Sequence, residues 1–337
     1  MMKGIDRLLR LLFGLCVAAV VIAGGAFWYY ANLEVSPGTV PLQFGLKAGS
    51  SLRSAALQME RAGVLRYPEA FVLMGRLLGE AANIRAGIYE VDGPITPYAL
   101  LRKVTEGDVT QQVVKFVEGW TFRQVRKALD DHPHLRHDTR ELQEAEILEK
   151  IGAKEPAPEG LFFPDTYHFD TGSSDLRVLR RAYRLMQGHL EAQWTKRAAD
   201  LPLKTPYEAL ILASIVEKET GKPVDRPLVA AVFVNRLRKG MLLQADPTVI
   251  YGVGITFDGN LRKRDLQTDT PYNTYTRTGL PPTPIAMPGL ASLVATLNPP
   301  QSDVLYFVSR GDGTSHFSRT LGEHERAVTK YQRSGRR

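Results

Sequence analysis

The stretch Ala213-Ser-Ile-Val-Glu217-Lys-Glu219-Thr-Gly-Lys222 sets two carboxylates two positions apart at the polar end of an otherwise apolar helical run. A helix can start at Tyr207, directly after Pro206 in a first-turn position. At about 100° per residue, Ile211, Leu212, Ile215 and Val216 share one arc, Glu219 points into its middle, and Glu217 points roughly 160° away. On periodicity Glu219 is the acid on the buried face and Glu217 the solvent-facing one. An unpartnered carboxylate on an apolar face is costly, so it takes a partner or keeps its proton through a raised pKa. A proton held near neutral pH is what a general acid needs in order to protonate a leaving oxygen. The alternative is a buried ion pair with Arg236 or Arg226.

Two further stretches could line a site around that acid. "MLLQADPTVIYGVG" and "TPYNTYTRTGLPPTPIAMPG" are polar, aromatic and rich in Pro and Gly. Such loops suit a groove for a sugar chain, with Tyr rings against pyranose faces and Gln, Asn and Thr bonding hydroxyls and amides. Gln244, Asp246, Tyr272, Asn273 and Tyr275 are the substrate-binding candidates; loop capping and turn formation fit each of them singly. Metal chemistry has less to stand on. His132, His134 and His137 fall in "HPHLRH", where Pro133 interrupts any helix and no nearby motif supplies a third fixed ligand, so a solvated loop is expected. No His-Glu-x-x-His occurs, and His316 and His324 do not share a helical face, which leaves them structural roles near the C-terminal strand and helix. The Ser-x-x-Lys and Lys-Thr-Gly pair of serine-type wall peptidases is also missing.

The elements that must position these residues are legible in outline. The chain has 337 residues, enough for two domains. Its 44% hydrophobic and 23% charged content is that of a folded protein. The net charge of +7 is spread along the chain without a basic run interleaved with aromatics, which argues against a nucleic-acid partner. Cys16 is the single cysteine, so neither a disulfide framework nor a thiolate metal cage can form.

Residues 11–31 carry no charge and match the ~20 residues that cross a bilayer as a helix. Lys3, Arg7 and Arg10 precede the span and Glu34 follows it, which keeps residues 1–10 in the cytoplasm and sends the rest outside. Trp28, Tyr29 and Tyr30 are expected at the outer interface, and their bulk separates this segment from a cleaved signal peptide. Two stretches, 46–53 and 116–123, repeat a strand end, a Gly turn, a Ser or Thr and an amphipathic helix, with Ser51 and Thr121 as N-caps. Between them an alternating strand and a helix starting near Thr96 complete a small α+β module over residues 40–110. Helical patterns follow at 176–200, 206–220 and 227–239, the last with Pro227 in its first turn.

"ASIVEKET", "VFVNRLRKGMLLQADPTVIYG", "PYNTYTRTGLPPTPIAMPG" and "LYFVSRGDGTSHFS", together with "EGLFFPDTY" and the anchor, resemble the YceG-like family of endolytic murein transglycosylases over nearly the whole chain. The resemblance implies an α+β protein with a transmembrane helix at 11–31, a LysM-like glycan-binding subdomain at 40–110 and a mixed helical and strand catalytic domain at 111–337. It places the catalytic acid on Glu219. It implies non-hydrolytic cleavage between N-acetylmuramic acid and N-acetylglucosamine inside nascent strands, leaving a 1,6-anhydro end and terminating strand growth, with no cofactor or metal. Peptidoglycan strands are the implied partner and peptidoglycan synthases at the membrane a further one, with the protein in the inner membrane and its catalytic domain in the periplasm. One carboxyl suffices for this chemistry, acting first as acid and then as base. Asp246 is the acid that would reopen hydrolysis if it faced Glu219. The rival from another class is a non-catalytic wall-binding scaffold.

Overall fold

The computed structural model describes residues 2–38, 40–47, 49–107, 111–219 and 222–333. It divides into one unit of Met1–Gln112 with His168–Gly172, and a second of Val113–Tyr167 with Ser173–Arg337.

The first unit contains α1 (Met2–Ala31), β1 (Leu42–Leu46), α2 (Leu52–Arg61), α3 (Pro68–Leu77), β2 (Gly87–Val91) and α4 (Pro97–Glu106). β1 and β2 pair antiparallel with Phe44 opposite Tyr89, and the two rings stack at 5.5 Å between centroids. Phe44 and Leu46 face inward while Gln43 and Gly45 face out, the period-two alternation of a sheet covered on one side. Met59, Phe71, Met74 and Leu100 from the three short helices close over that face. Ser51 accepts the Ser54 amide, the cap expected at the start of α2, and Thr96 caps α4 in the same way by accepting the Ala99 amide. Gly107, at φ 76°, ends α4 with its amide on the Lys103 carbonyl, a left-handed stop that suits glycine.

α1 includes Leu11–Ala31, a span long and apolar enough to cross a membrane. Its last turn divides the expected aromatic belt. Trp28 and Tyr29 are exposed, whereas Tyr30 packs with Phe27 against the core of the first unit and its hydroxyl donates to the Tyr67 carbonyl at 3.1 Å. Continuous helix thus leads from the apolar span into a folded core.

β3 (Gln111–Lys115) and β4 (Thr166–Asp170) form a two-stranded sheet, and the division between units falls within both strands. The second unit then contains α5 (Phe122–Asp130), α6 (Glu144–Ile151), α7 (Asp175–Thr195), α8 (Pro206–Glu219), α9 (Arg226–Arg238), α10 (Asp246–Val253), α11 (Lys263–Gln267), α12 (Leu290–Leu297), the hairpin β5 (Tyr306–Ser309) and β6 (Ser315–Ser318), and α13 (Leu321–Val328). α8 is its central helix. Every residue from Ala209 to Val216 is buried, and α7, α9, α10 and α12 all pack on it. A helix apolar all round belongs in a core. The single apolar arc expected from the sequence is therefore too narrow a description. α9 is similarly enclosed from Val229 to Arg236; it begins one residue before Pro227, with Asp225 preceding it.

Tyr89 offers a direct check on the first unit. It is fully buried, and its hydroxyl donates to the Arg85 carbonyl at 2.7 Å. Tyr89→Phe is expected to cost about 1 kcal/mol, read as a lowered denaturation midpoint, because a half-buried hydrogen bond is lost while ring packing is kept.

Candidate active site

α8 delivers its two glutamates to different jobs. The Glu217 side chain is only 7% exposed. Its Oε2 accepts the Gly289 amide at 2.9 Å and the Ser292 hydroxyl at 2.7 Å, and Arg226 lies 3.8 Å from Oε1. Gly289 is the N-cap of α12, so Glu217 supplies the negative charge and the acceptor that a helix start lacks. This corrects the sequence-based placement of Glu217 in solvent: α12 covers the side of α8 that periodicity left open. It also accounts for Arg226, the candidate ion-pair partner of Glu219, which pairs with Glu217 instead.

Glu219 ends α8, and its carboxyl has no hydrogen bond or ion pair among the described residues. Burial pushes its carboxyl up to about 8, the negative charge of Asp246 adds to the rise, and Arg236 opposes it. The residue keeps partial solvent access, so a reactant can reach it. Arg236 is close enough to be felt but does not clamp the acid. Its Nε donates to the Leu305 carbonyl and its Nη1 to the Leu243 carbonyl, both at 2.7 Å, with the Tyr306 ring beneath the guanidinium at 5.2 Å. Those carbonyls hold the cation to the hairpin and to the turn after α9. What remains for Glu219 is a through-space field that limits the rise of its pKa without giving the carboxylate a fixed partner.

Asp246 opens α10 and is exposed, with Tyr275 donating its hydroxyl to Oδ1. Burial first, then this bond and the charge of Asp246, drive the Tyr275 phenol strongly upward, so it stays a donor. Gln244 is exposed in a left-handed conformation (φ 49°), its amide on the Thr274 carbonyl and its Oε1 3.5 Å from Arg236 Nη1. Thr274 ties the same turn from below, its hydroxyl accepting the Ala245 amide at 3.0 Å and lying 2.8 Å from the Thr248 hydroxyl. Asn273 has a different job from the one expected. It is 1% exposed; its Nδ2 donates to the carbonyls of Asp265, Leu266 and Thr268, and its Oδ1 accepts the Tyr275 amide. With its side-chain amide spent on these bonds, Asn273 braces its own loop. Tyr272 faces a cavity, edge-on to Tyr251 at 4.8 Å and bonded to Thr283.

That cavity, about 890 Å³, is lined by Glu159, Lys218, Pro247, Tyr251, Phe257 and Tyr272 among others. It borders Lys218 and Pro247, the chain neighbours of Glu219 and Asp246. Glu159 is the residue that sequence reasoning missed, since "EGLFFPDTY" entered only as a family motif with no role given to its acid. It is 5% exposed, accepts the Phe122 amide at 2.9 Å and the Tyr251 hydroxyl at 3.0 Å, and burial lifts it to about 7. The signal was the following Gly160. At φ 80° it lies so close to Pro284 that an added Cβ would sit 2.4 Å from the proline ring. Only glycine lets the two loops meet there. Ser214 of α8 pins the second loop by accepting the Ile285 amide at 3.0 Å, and Gly119 and Trp120 exchange backbone bonds with Met287.

Several known proteins are similar to this chain over most of its length. The model of the YceG-like family matches residues 44–330. The chain is 32% identical to an endolytic murein transglycosylase of Bacillus subtilis, over 92% of this chain and 91% of the relative. It is 26% identical to an endolytic murein transglycosylase of Streptococcus pneumoniae, over 94% of this chain and 64% of that longer protein. A crystal structure of a yceG-like protein from Listeria monocytogenes superposes with a TM-score of 0.52 at 28% identity, covering 85% of this chain and 98% of the other.

The raised carboxyls make stability depend on pH with a definite sign. Above the ordinary value of 4.5 the unfolded chain has released protons that folded Glu219 keeps up to about 8 and folded Glu159 up to about 7. The folded state binds more protons, so stability falls as pH rises through that window and levels off above it. Glu219→Gln should match the parent near about pH 4 and exceed it by roughly 2–4 kcal/mol above about pH 8. Chemical denaturation across a pH series reads this; parallel curves for parent and variant would contradict the burial of Glu219.

Proposed function

The chain belongs to the YceG-like family, and from that premise we propose that it is an endolytic peptidoglycan transglycosylase in which Glu219 alone serves as acid and base. The observation that carries the reading is a partly accessible carboxyl pushed up to about 8 with no fixed partner among the described residues. Protonated at neutral pH, Glu219 gives its proton to the glycosidic oxygen as the bond from that oxygen to the anomeric carbon of N-acetylmuramic acid breaks. The sugar's own 6-hydroxyl oxygen then bonds to that carbon and its proton passes to the Glu219 carboxylate. No water is consumed; one fragment ends in 1,6-anhydromuramic acid and the other in a free hydroxyl. Acid and base are regenerated in one turnover by one side chain.

Asp246 carries two parts of this mechanism. Its negative charge helps keep the proton on Glu219 before reaction, and the same charge favours the positive character that develops at the anomeric carbon. The hydroxyl of Tyr275 fixes where that charge sits. Tyr272 and Tyr251 present aromatic faces in the adjoining cavity for sugar rings, with Lys218 beside them for an anionic group of the substrate. The small module of residues 40–110 is assigned glycan binding as a LysM-like unit. The span Leu11–Ala31 is compatible with a single-pass anchor. In this reading Lys3, Arg7 and Arg10 face the cytoplasm, the catalytic unit faces the periplasm, and newly made strands are cut where peptidoglycan synthases release them.

Glu219→Gln keeps the shape and removes the proton. It is expected to lower release of anhydro-ended fragments from intact glycan by about 10³-fold or more. Mass spectrometry of products from the purified full chain reads this, and undiminished release in the variant would sink the assignment. Asp246→Asn separates transglycosylation from hydrolysis. Removing that charge should lower the proton affinity of Glu219 and shift the alkaline limb of the rate profile to lower pH, with every product still anhydro-ended. Reducing, water-terminated ends from the parent protein would instead make Asp246 the second carboxylate of a hydrolase.

A further inference from the structure

Away from the glycan site, three residues of the second unit converge: Asp130 at the end of α5, His137 in the loop that follows, and, some way along the chain, Asp175 at the start of α7. One ligand atom from each lies within 4.8 Å of the other two. The cluster is not satisfied by the protein. Asp175 is fully buried; its Oδ2 accepts the amide and hydroxyl of Thr139, at 3.2 and 2.7 Å, but its Oδ1 has no hydrogen-bond partner. Nδ1 of His137 is likewise buried and unpartnered. A carboxylate oxygen and a ring nitrogen each buried without a partner cost free energy that a shared ligand would return.

The charged neighbours leave room for one. Arg136 turns its guanidinium to Asp138, with Nη2 2.8 Å from Oδ2. Arg140 donates to the Asp130 backbone carbonyl, and its Nε stands 3.8 Å from the Asp130 carboxylate. Neither meets Asp175 Oδ1. The backbone around the cluster is fixed in advance. Arg136 donates its amide to the Ser173 carbonyl and accepts that of Asp175, and Arg126 holds the loop through the carbonyls of Thr139, Arg140 and Leu142. Little ordering cost remains for a ligand to meet.

We propose that Asp130, His137 and Asp175 form a binding site for one divalent transition-metal ion of the zinc class. One imidazole nitrogen and two carboxylate oxygens are a borderline donor set suited to Zn²⁺, with a position left for water. The ion ties α5, the loop and α7 together, so its effect is on stability. The proposal stands apart from the transglycosylase reading, because none of the three residues lines the cavity beside Glu219.

The test uses the full chain purified in detergent, stripped with EDTA and titrated with zinc chloride by calorimetry, with thermal denaturation followed in parallel. The expected result is one ion per chain at micromolar zinc or below and a melting temperature raised by about 5 °C at saturation. His137→Ala and Asp130→Asn should each abolish the stoichiometric binding and the thermal shift while leaving the melting temperature of the stripped protein close to the parent's. Asp175→Asn should do the same; if that buried change prevents folding, the other two variants decide. Failure of both zinc and manganese to bind the parent at micromolar concentration overturns the proposal, as does one-ion binding that survives His137→Ala.

Discussion

Glu219 can hold its proton only because the cation nearest in effect is already engaged elsewhere. Arg236 sits close enough to influence it, yet its guanidinium is bonded to the carbonyls of Leu305 and Leu243. Had it formed a bidentate pair with Glu219, the carboxylate would be ionised and inert as an acid. The hairpin of β5 and β6 and the turn after α9 are therefore part of the site although they need not touch a substrate. They supply the acceptors that occupy Arg236 and leave burial and Asp246 to set the acid.

The same economy explains the neighbouring glutamate. Two carboxylates two residues apart on one central helix cannot both be left unpartnered in a core. Glu217 is neutralised by Arg226 and by the start of α12, and in that role it fixes Gly289 and the end of the loop of residues 281–289. Ser214, one turn earlier on α8, fixes Ile285 in the same loop. One helix thus carries the acid and holds the loop that shapes its surroundings. Gly160 brings the segment bearing Glu159 against Pro284, so a second carboxyl whose pKa burial raises joins the wall with its Tyr251 partner.

In the first unit the constraint is different. β1 and β2 form only two strands, too few to be stable alone, and three short helices, two of them with hydroxyl caps, close over their inner face. The end of the apolar N-terminal helix joins this core through Phe27, Tyr30 and Ala31. Held by helix rather than by a loose linker, the folded unit has a defined start relative to the span.

Patterns whose cause is local were readable without coordinates. The uncharged span of residues 11–31, the cap at Ser51, the helix start near Thr96, the helices over 206–219 and 226–238 and the loop character of residues 132–137 follow from hydropathy, hydroxyl capping and proline, which act over a few residues. The family motifs likewise pointed to Glu219, and the low charge of the helix ahead of it showed that the acid would be poorly solvated. What covers each face of α8 is set by segments scores of residues away, and only the tertiary structure could decide it. Hence Glu217 was misplaced, Asn273 was taken for a ligand when it braces its own loop, and Glu159 passed unnoticed. His137 likewise found its carboxylates only when α7 folded back on the end of α5. Periodicity describes the surface a helix offers, whereas burial, and with it the proton affinity of a carboxyl, depends on what the rest of the chain places against that surface.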